Sequence, residues 1–238
     1  MRLDKFLSHT GFGSRKEVKE ILKKKVVCVN GKPEKNGKKS IDENKDAVSV
    51  YGEVVNYKKF VYYMLNKPKG VISATEDNLH RTVIDLISEV DQVPGLFPVG
   101  RLDKDTTGLL IITNDGELSH QLLSPKKKVP KLYQAKVAGL MTAEDVLVFS
   151  TGVTISGNEH CLPAKLMILE TDVESETTLI NLEIVEGKFH QVKRMVEAVG
   201  KKVVTLDRQS MGGLFLDSQL KKGSYRELTD EELASLRN

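Results

Sequence analysis

The stretch GRLDKDTTGLLIITNDG, Gly100 to Gly116, decides how the rest of the chain is read. Its tetrapeptide RLDK also stands at Arg2 to Lys5. The contexts differ. After Arg2 come Leu3, Phe6 and Leu7, an apolar i, i+3, i+4 pattern that predicts a helix face. After Arg101 come Thr106, Thr107 and Gly108, then the apolar run Leu109 to Ile112 with its β-branched pair. That order predicts a loop feeding a strand. The repeat is coincidental, and Asp103 of the second copy is the carboxylate with chemical prospects.

The 238 residues suffice for two domains with their own cores. No run of about 18 apolar residues occurs, so no membrane span is expected. The charged opening Met-Arg-Leu-Asp-Lys lacks the apolar stretch of a signal peptide. Cys28 and Cys161 form no CxxC pair, and two reduced thiols in a cytoplasmic protein are the expectation. Residues 1–59 hold 15 Lys+Arg against 8 Asp+Glu, and the remainder holds 21 against 25. A basic front on a mildly acidic body suggests that the front meets a polyanion.

Ser14 and Glu17 make a capping box that opens a helix through about Lys25. Val18, Ile21 and Leu22 are its apolar stripe. Arg15, Lys19 and Lys23 recur on another stripe that suits a phosphate backbone. Val26 to Val29 runs into Asn30-Gly31, a hairpin turn signal. Val48 to Val50 and Val54-Val55 flank a further turn, and Asn56 to Lys59 reads as a linker. The expected division is therefore 1–59 and 60–238.

The second domain opens with a strand over 60–65 and a turn over 66–70. A helix is expected near Val83 to Glu89, capped by Thr82. Asp115 caps a helix carrying Leu118, Leu122 and Leu123. Lys131 to Val137 alternates like a strand, and Thr142 with Asp145 starts a helix. Strands return near 153–155, 164–169 and 178–185. His190 to Val199 has helical periodicity and stops at Gly200, and Thr229 with Glu232 boxes a last helix. Helices scattered among many strands predict an α+β fold with a largely antiparallel or mixed sheet.

The familiar chemistries find no support. There is no GxxxxGK[ST] and no strand-borne GxGxxG. His160-Cys161 lacks a second pair at metal-ligand spacing, and there is no GxSxG elbow. Asp103 remains, in an unusual loop with an arginine two residues before it.

The chain resembles a known family over almost its whole length. Residues 1–59 resemble an S4 RNA-binding domain through RLDKFLSHTGFGSRKEVKEILKKKVVCVNGK. The body resembles the ribosomal small subunit pseudouridine synthase A family. It does so through YYMLNKPKGVIS, FPVGRLDKDTTGLLIITNDGELSHQLLSP, KLYQAKV and EGKFHQVKRMVEAVGKKV, in that order. The resemblance implies a small S4-type α/β domain followed by a catalytic domain whose mixed sheet is flanked by helices. It also implies isomerisation of a specific uridine in 16S rRNA to pseudouridine. The N1–C1′ bond breaks, the uracil turns, and C5 bonds to C1′. No atoms are gained or lost, so neither cofactor nor metal is implied. The implied partner is 16S rRNA or a pre-ribosomal small-subunit particle, with no membrane, and the expected state is a monomer.

Each motif carries its role over with it. Asp103 becomes the essential carboxylate, ionised at neutral pH as carboxylates are. The family leaves open whether it bonds to sugar or base or removes a sugar proton. Lys193 takes the place where relatives often put an arginine paired to that aspartate, with Arg194 as the alternative. Tyr133 matches the family's active-site tyrosine, able to stack on uracil and to help remove the C5 proton. Arg101 is placed to fill the space left by a flipped base. Lys67 and Lys69, with His190 and Arg194, join Arg15, Lys19 and Lys23 as RNA contacts. Asp207 and Gly212-Gly213 depart from the commoner family residues. The rivals are a large-subunit (23S) rRNA synthase and, in another class, a non-catalytic RNA-binding assembly factor. Retention of Asp103, Tyr133 and Lys193 argues against the second.

Overall fold

The computed structural model describes residues 1–43, 45–55 and 57–237. Asn56, in the linker expected over 56–59, lies outside the described residues. The chain divides into two compact units, Met1–Val61 with Ile87–Leu96, and Tyr62–Leu86 with Phe97–Asn238. The segment Ile87–Leu96 thus joins the front unit although it lies far along the chain.

The front unit contains helices α1 (Leu3–His9) and α2 (Arg15–Lys23) and strands β1 (Val27–Val29), β2 (Lys32–Pro33), β3 (Val48–Val50) and β4 (Glu53–Val54). The strands form an antiparallel sheet in the order β2-β1-β3-β4. Asn30 and Gly31 have φ of 51° and 76°, the pair of positive angles that a two-residue primed hairpin needs. Ser14 and Glu17 exchange hydrogen bonds at the start of α2. Leu3, Phe6, Leu7, Val18, Leu22, Val27 and Val48 form the core. In the first RLDK copy Arg2 precedes α1 and binds its own Asp4 at 2.5 Å. That carboxylate is consumed locally.

The second unit comprises, in chain order, β5 (Tyr62–Lys67), β6 (Phe97–Pro98), β7 (Thr107–Thr113), α3 (Gly116–Leu123), β8 (Lys131–Ala138) and α4 (Ala143–Thr151). There follow β9 (Thr154–Ile155), β10 (Glu159–His160), β11 (Lys165–Asp172), β12 (Thr177–Ile184) and α5 (Gln191–Ala198). The unit ends with β13 (Lys202–Met211), β14 (Leu214–Phe215), β15 (Tyr225–Glu227) and α6 (Asp230–Arg237). Its main sheet runs β11-β12-β8-β13-β7-β5-β15, with β14 on β13 and β6 on β7. All of these pairings are antiparallel except β13 with β7. The α+β fold with a mixed sheet is therefore present. The run Leu109 to Ile112 is wholly buried, as a strand covered on both faces must be. β12 and the start of β8 alternate buried and half-buried positions.

Two expectations change. The helix near Val83 to Glu89 is one 3₁₀ turn, Ile84–Leu86. Thr82 and Asp85 exchange reciprocal backbone-to-side-chain bonds that close that single turn, and Ile87 already belongs to the front unit. The opening strand runs on to Lys67 because its ladder with β7 continues to Lys67 opposite Gly108. The turn shrinks to Pro68–Gly70, with Gly70 at φ 90°.

Gly108 lies where β7 meets β13 in parallel, opposite Arg208. Its φ is 100°, and an added Cβ would sit 2.3 Å from the Arg208 carbonyl oxygen and 2.6 Å from its nitrogen. No rotamer change relieves a clash with backbone. Gly108→Ala is expected to lower stability by at least about 3 kcal/mol through strain and overpacking, measured as the free energy of urea unfolding. A loss below about 1 kcal/mol would show that the two strands can part there.

Candidate active site

The Asp103 loop is held from behind by backbone and buried side chains. Thr106 N–H donates to the Asp103 carbonyl at 3.1 Å, and Gly70 N–H donates to the Lys104 carbonyl at 2.7 Å. Ser73 Oγ donates to the Leu102 carbonyl at 2.9 Å and accepts from its N–H at 3.0 Å. Lys67 reaches in from β5 and donates to the carbonyls of Asp103 (3.0 Å), Thr106 (2.9 Å) and Pro68 (3.2 Å). Lys67 is 0% exposed. It therefore cannot contact an RNA backbone, a correction to its expected role, and its ammonium organises the loop instead.

The Asp103 carboxylate faces α5. Lys193 Nζ is 2.8 Å from Asp103 Oδ2 and 2.6 Å from Asp105 Oδ1. Burial disfavours the Lys193 charge, but hydrogen bonds and charges from both aspartates outweigh it and hold the ammonium above the ordinary lysine range. The hydrogen bond from Lys193 holds Asp105 below the ordinary carboxylate range. His190 Nε2 lies 3.4 Å from Asp103 Oδ1. His190 precedes α5 at φ 49°, its ring stacked on Phe189 with centroids 3.8 Å apart. Gln191 ties the approach to α5 down, accepting from Lys188 N–H and donating to Glu186, both at 2.8 Å. Val192, Met195 and Val196 are buried, which fixes the rotation of α5 and so the direction of Lys193.

A cavity of about 650 Å³ opens on Asp103 and is lined also by Tyr133, Lys131, Arg208, Phe189 and His190. Tyr133 is 9% exposed on β8. Arg101 is exposed and lines the same cavity. Asp103, Tyr133, Lys193, His190 and Arg101 are thus brought together from loop, strand and helix. Arg194 is not. It is held by Ser156 Oγ at 3.0 Å, the Phe189 carbonyl at 3.0 Å and Glu159 at 2.7 Å. Lys69 is exposed on the turn after β5. In the front unit Arg15, Lys19 and Lys23 are exposed on α2, and Lys23 pairs with Glu20 at 2.7 Å.

Asp105 and Arg208 also stand at this site and were given no part in it from the sequence, and Lys131 stood in the motif KLYQAKV without a role of its own. Lys131 carried a usable signal, since it shares the alternating inward register of β8 with Tyr133. His160 and Cys161 join no ligand cluster: among the described residues no three His, Cys, Asp or Glu side chains are placed to hold a metal ion.

Among known proteins, the family model described as RNA pseudouridylate synthase matches residues 61–198, and the S4 domain model matches residues 1–46. The chain is 52% identical to an uncharacterized RNA pseudouridine synthase of Bacillus subtilis, over 98% of this chain and 97% of that protein. It is 41% identical to ribosomal small subunit pseudouridine synthase A of Vibrio cholerae, over 99% of each. It is 38% identical to ribosomal large subunit pseudouridine synthase B of Bacillus subtilis, over 99% of this chain and 95% of that one.

Burial pushes Lys67 down from the ordinary lysine value of 10.5 to about 8, against the pull of Asp103 and Asp105. Between those two pH values the unfolded chain keeps a proton that the folded chain has released. Stability contributed by this group therefore rises with pH across that window. Relative to Lys67→Met, the wild-type protein is expected to gain about 2 kcal/mol between pH 8 and pH 10. Urea unfolding at the two pH values reads it, and a pH-independent difference would contradict the lowered basicity of Lys67.

Proposed function

The chain belongs to the RNA pseudouridylate synthase family, with an S4 domain at its front, and on that premise we propose a substrate and roles for its residues. The enzyme is an isomerase acting on RNA. The proposed substrate is a specific uridine of 16S rRNA, free or in a pre-ribosomal small-subunit particle, met by a monomer in the cytoplasm. Similarity to the small-subunit enzyme over the full chain supports the choice of 16S. The large-subunit relative supports 23S rRNA as the second reading, and mapping the modified nucleotide separates the two.

The observation that carries the catalytic reading is the Asp103 carboxylate held 2.8 Å from Lys193 in a cavity lined by Tyr133. Asp103 acts at the sugar of the target nucleotide. Lys193 aims that carboxylate through its 2.8 Å contact, and Asp105 limits where the lysine can swing. Tyr133 stacks on the uracil and assists departure of the C5 proton. A uridine inside structured RNA must leave its stack to reach this cavity. Arg101, exposed at the cavity, fills the vacated place with a planar cation. The Arg15, Lys19 and Lys23 stripe supplies phosphate contacts, which position the RNA without reading its sequence.

Forming the C5–C1′ bond expels the C5 hydrogen, so tritium release from C5-labelled rRNA reports turnover. Wild-type protein is expected to release tritium from 16S rRNA. Asp103→Asn should slow release by roughly 10³-fold or more while RNA affinity stays within a few-fold. A comparable loss of affinity would remove Asp103 from its assigned role. Release from 23S rRNA alone would select the second reading.

The front unit is tested by salt. Replacing Lys19 and Lys23 by Gln is expected to weaken binding and reduce the slope of log K against log salt by roughly 1.5. An unchanged slope would move the RNA face off α2.

A further inference from the structure

Two buried cations stand at the Asp103 cavity without a carboxylate. Lys131 is 8% exposed and Arg208 3% exposed, and both line the cavity with Tyr133. The ladder between β8 and β13 sets Arg208 directly opposite Tyr133 and Met211 opposite Lys131. Lys131 and Tyr133 are two residues apart on one strand, so all three side chains share a face of the sheet. Lys131 Nζ donates to the Val129 carbonyl and Arg208 Nε to the Leu109 carbonyl, each at 2.8 Å. Arg208 Nη2 is sealed from solvent and has no acceptor. Among the described residues neither cation joins an ion pair, whereas Lys193, Lys222 and Arg226 each do. Burial and the Arg208 charge hold Lys131 below the ordinary lysine range.

Taking an ion out of water without a counter-charge is unfavourable, and apolar residues of similar size usually serve a fold better there. The geometry therefore asks for an anion that is present only during function. The isomerase reading of this cavity, on which this inference rests, supplies one. When N1–C1′ breaks, the bonding pair leaves with the base and its charge spreads over the ring to O2 and O4. When C5 bonds to C1′, the C5 proton departs, N1 gains one, and the base is neutral again.

We propose that Lys131 and Arg208 form the floor beneath the flipped uracil, their positive charge facing its carbonyl oxygens, and that they stabilise the base while it is detached from the sugar. The charge acts where it develops and in a site shielded from water, the arrangement that makes electrostatic stabilisation effective. The floor also selects the base. Cytosine presents an amino group at C4 in place of a carbonyl, and a donor there meets two cations.

The test compares wild type with Arg208→Met, Lys131→Met and Arg208→Lys on C5-tritiated 16S and 23S rRNA. Single-turnover rate and RNA affinity are measured separately, with thermal melting as the check on folding. The two Met variants are expected to bind RNA within about threefold of wild type and to react roughly 100-fold more slowly. Arg208→Lys, which keeps the charge, should recover part of the rate. Rates near wild type in both Met variants would overturn the proposal. So would a loss confined to affinity with a flatter salt slope, which would assign the cations to a phosphate. If the Met variants fail to fold, the polar charge-removing variants Arg208→Gln and Lys131→Gln decide: slower release at unchanged affinity supports the floor, and an unchanged rate in both rejects it. A wild type that releases no tritium from either RNA would overturn the isomerase reading and the proposal together, a result unlike active wild type with unimpaired variants.

Discussion

The ammonium of Lys67 lies where no water reaches and bonds three backbone carbonyls, those of Pro68, Asp103 and Thr106. An irregular loop can hold a carboxylate in one direction only if its own backbone is satisfied, because each buried carbonyl without a donor favours another conformation. Lys67 meets that requirement from β5, and Ser73 meets it at Leu102. With the loop backbone occupied, the Asp103 side chain is left to face α5 and the cavity. The same burial depresses the basicity of Lys67, so a lysine placed for architecture sits among the site's charges.

A second constraint is the parallel contact of β7 with β13. It requires Gly108, because backbone atoms of Arg208 occupy the space a side chain would take. That close approach also lets Arg208 Nε reach the Leu109 carbonyl and keeps its guanidinium beneath the cavity. One glycine thus couples the strand that follows the Asp103 loop to the strand bearing the buried cation.

Several carboxylates of the second unit hold a cation of their own. Asp103 and Asp105 share Lys193, while Asp207 takes Lys222 and Asp217 takes Arg226. Lys131 and Arg208 are left without such partners beside the cavity. The departure of Asp207 from the commoner family residue has a local account: it accepts from Thr107 Oγ1 at 2.6 Å and pairs with Lys222 at 2.9 Å.

The amino-acid sequence by itself determined most elements, since hydrophobic period, capping boxes and turn pairs are local signals. The Ser14–Glu17, Thr142–Asp145 and Thr229–Glu232 boxes each open a helix, and Asn30-Gly31 makes its hairpin. It also separated the two RLDK copies, because one continues into a helix and the other into a buried strand. The reading of Asp103, Tyr133 and Lys193 as one set rested on whole motifs, and the fold places the three side by side. What the tertiary structure alone decided is where each charge ends. Lys67 reads as a surface lysine in a Lys-Pro-Lys turn and is buried, because the β5–β7 ladder extends two residues further than local pattern indicates. Lys131 and Arg208 read as ordinary strand residues, and their missing counter-ions become visible only when distant strands are packed side by side. A side chain's identity is local, but its solvation and its partners depend on contacts between segments far apart in the chain.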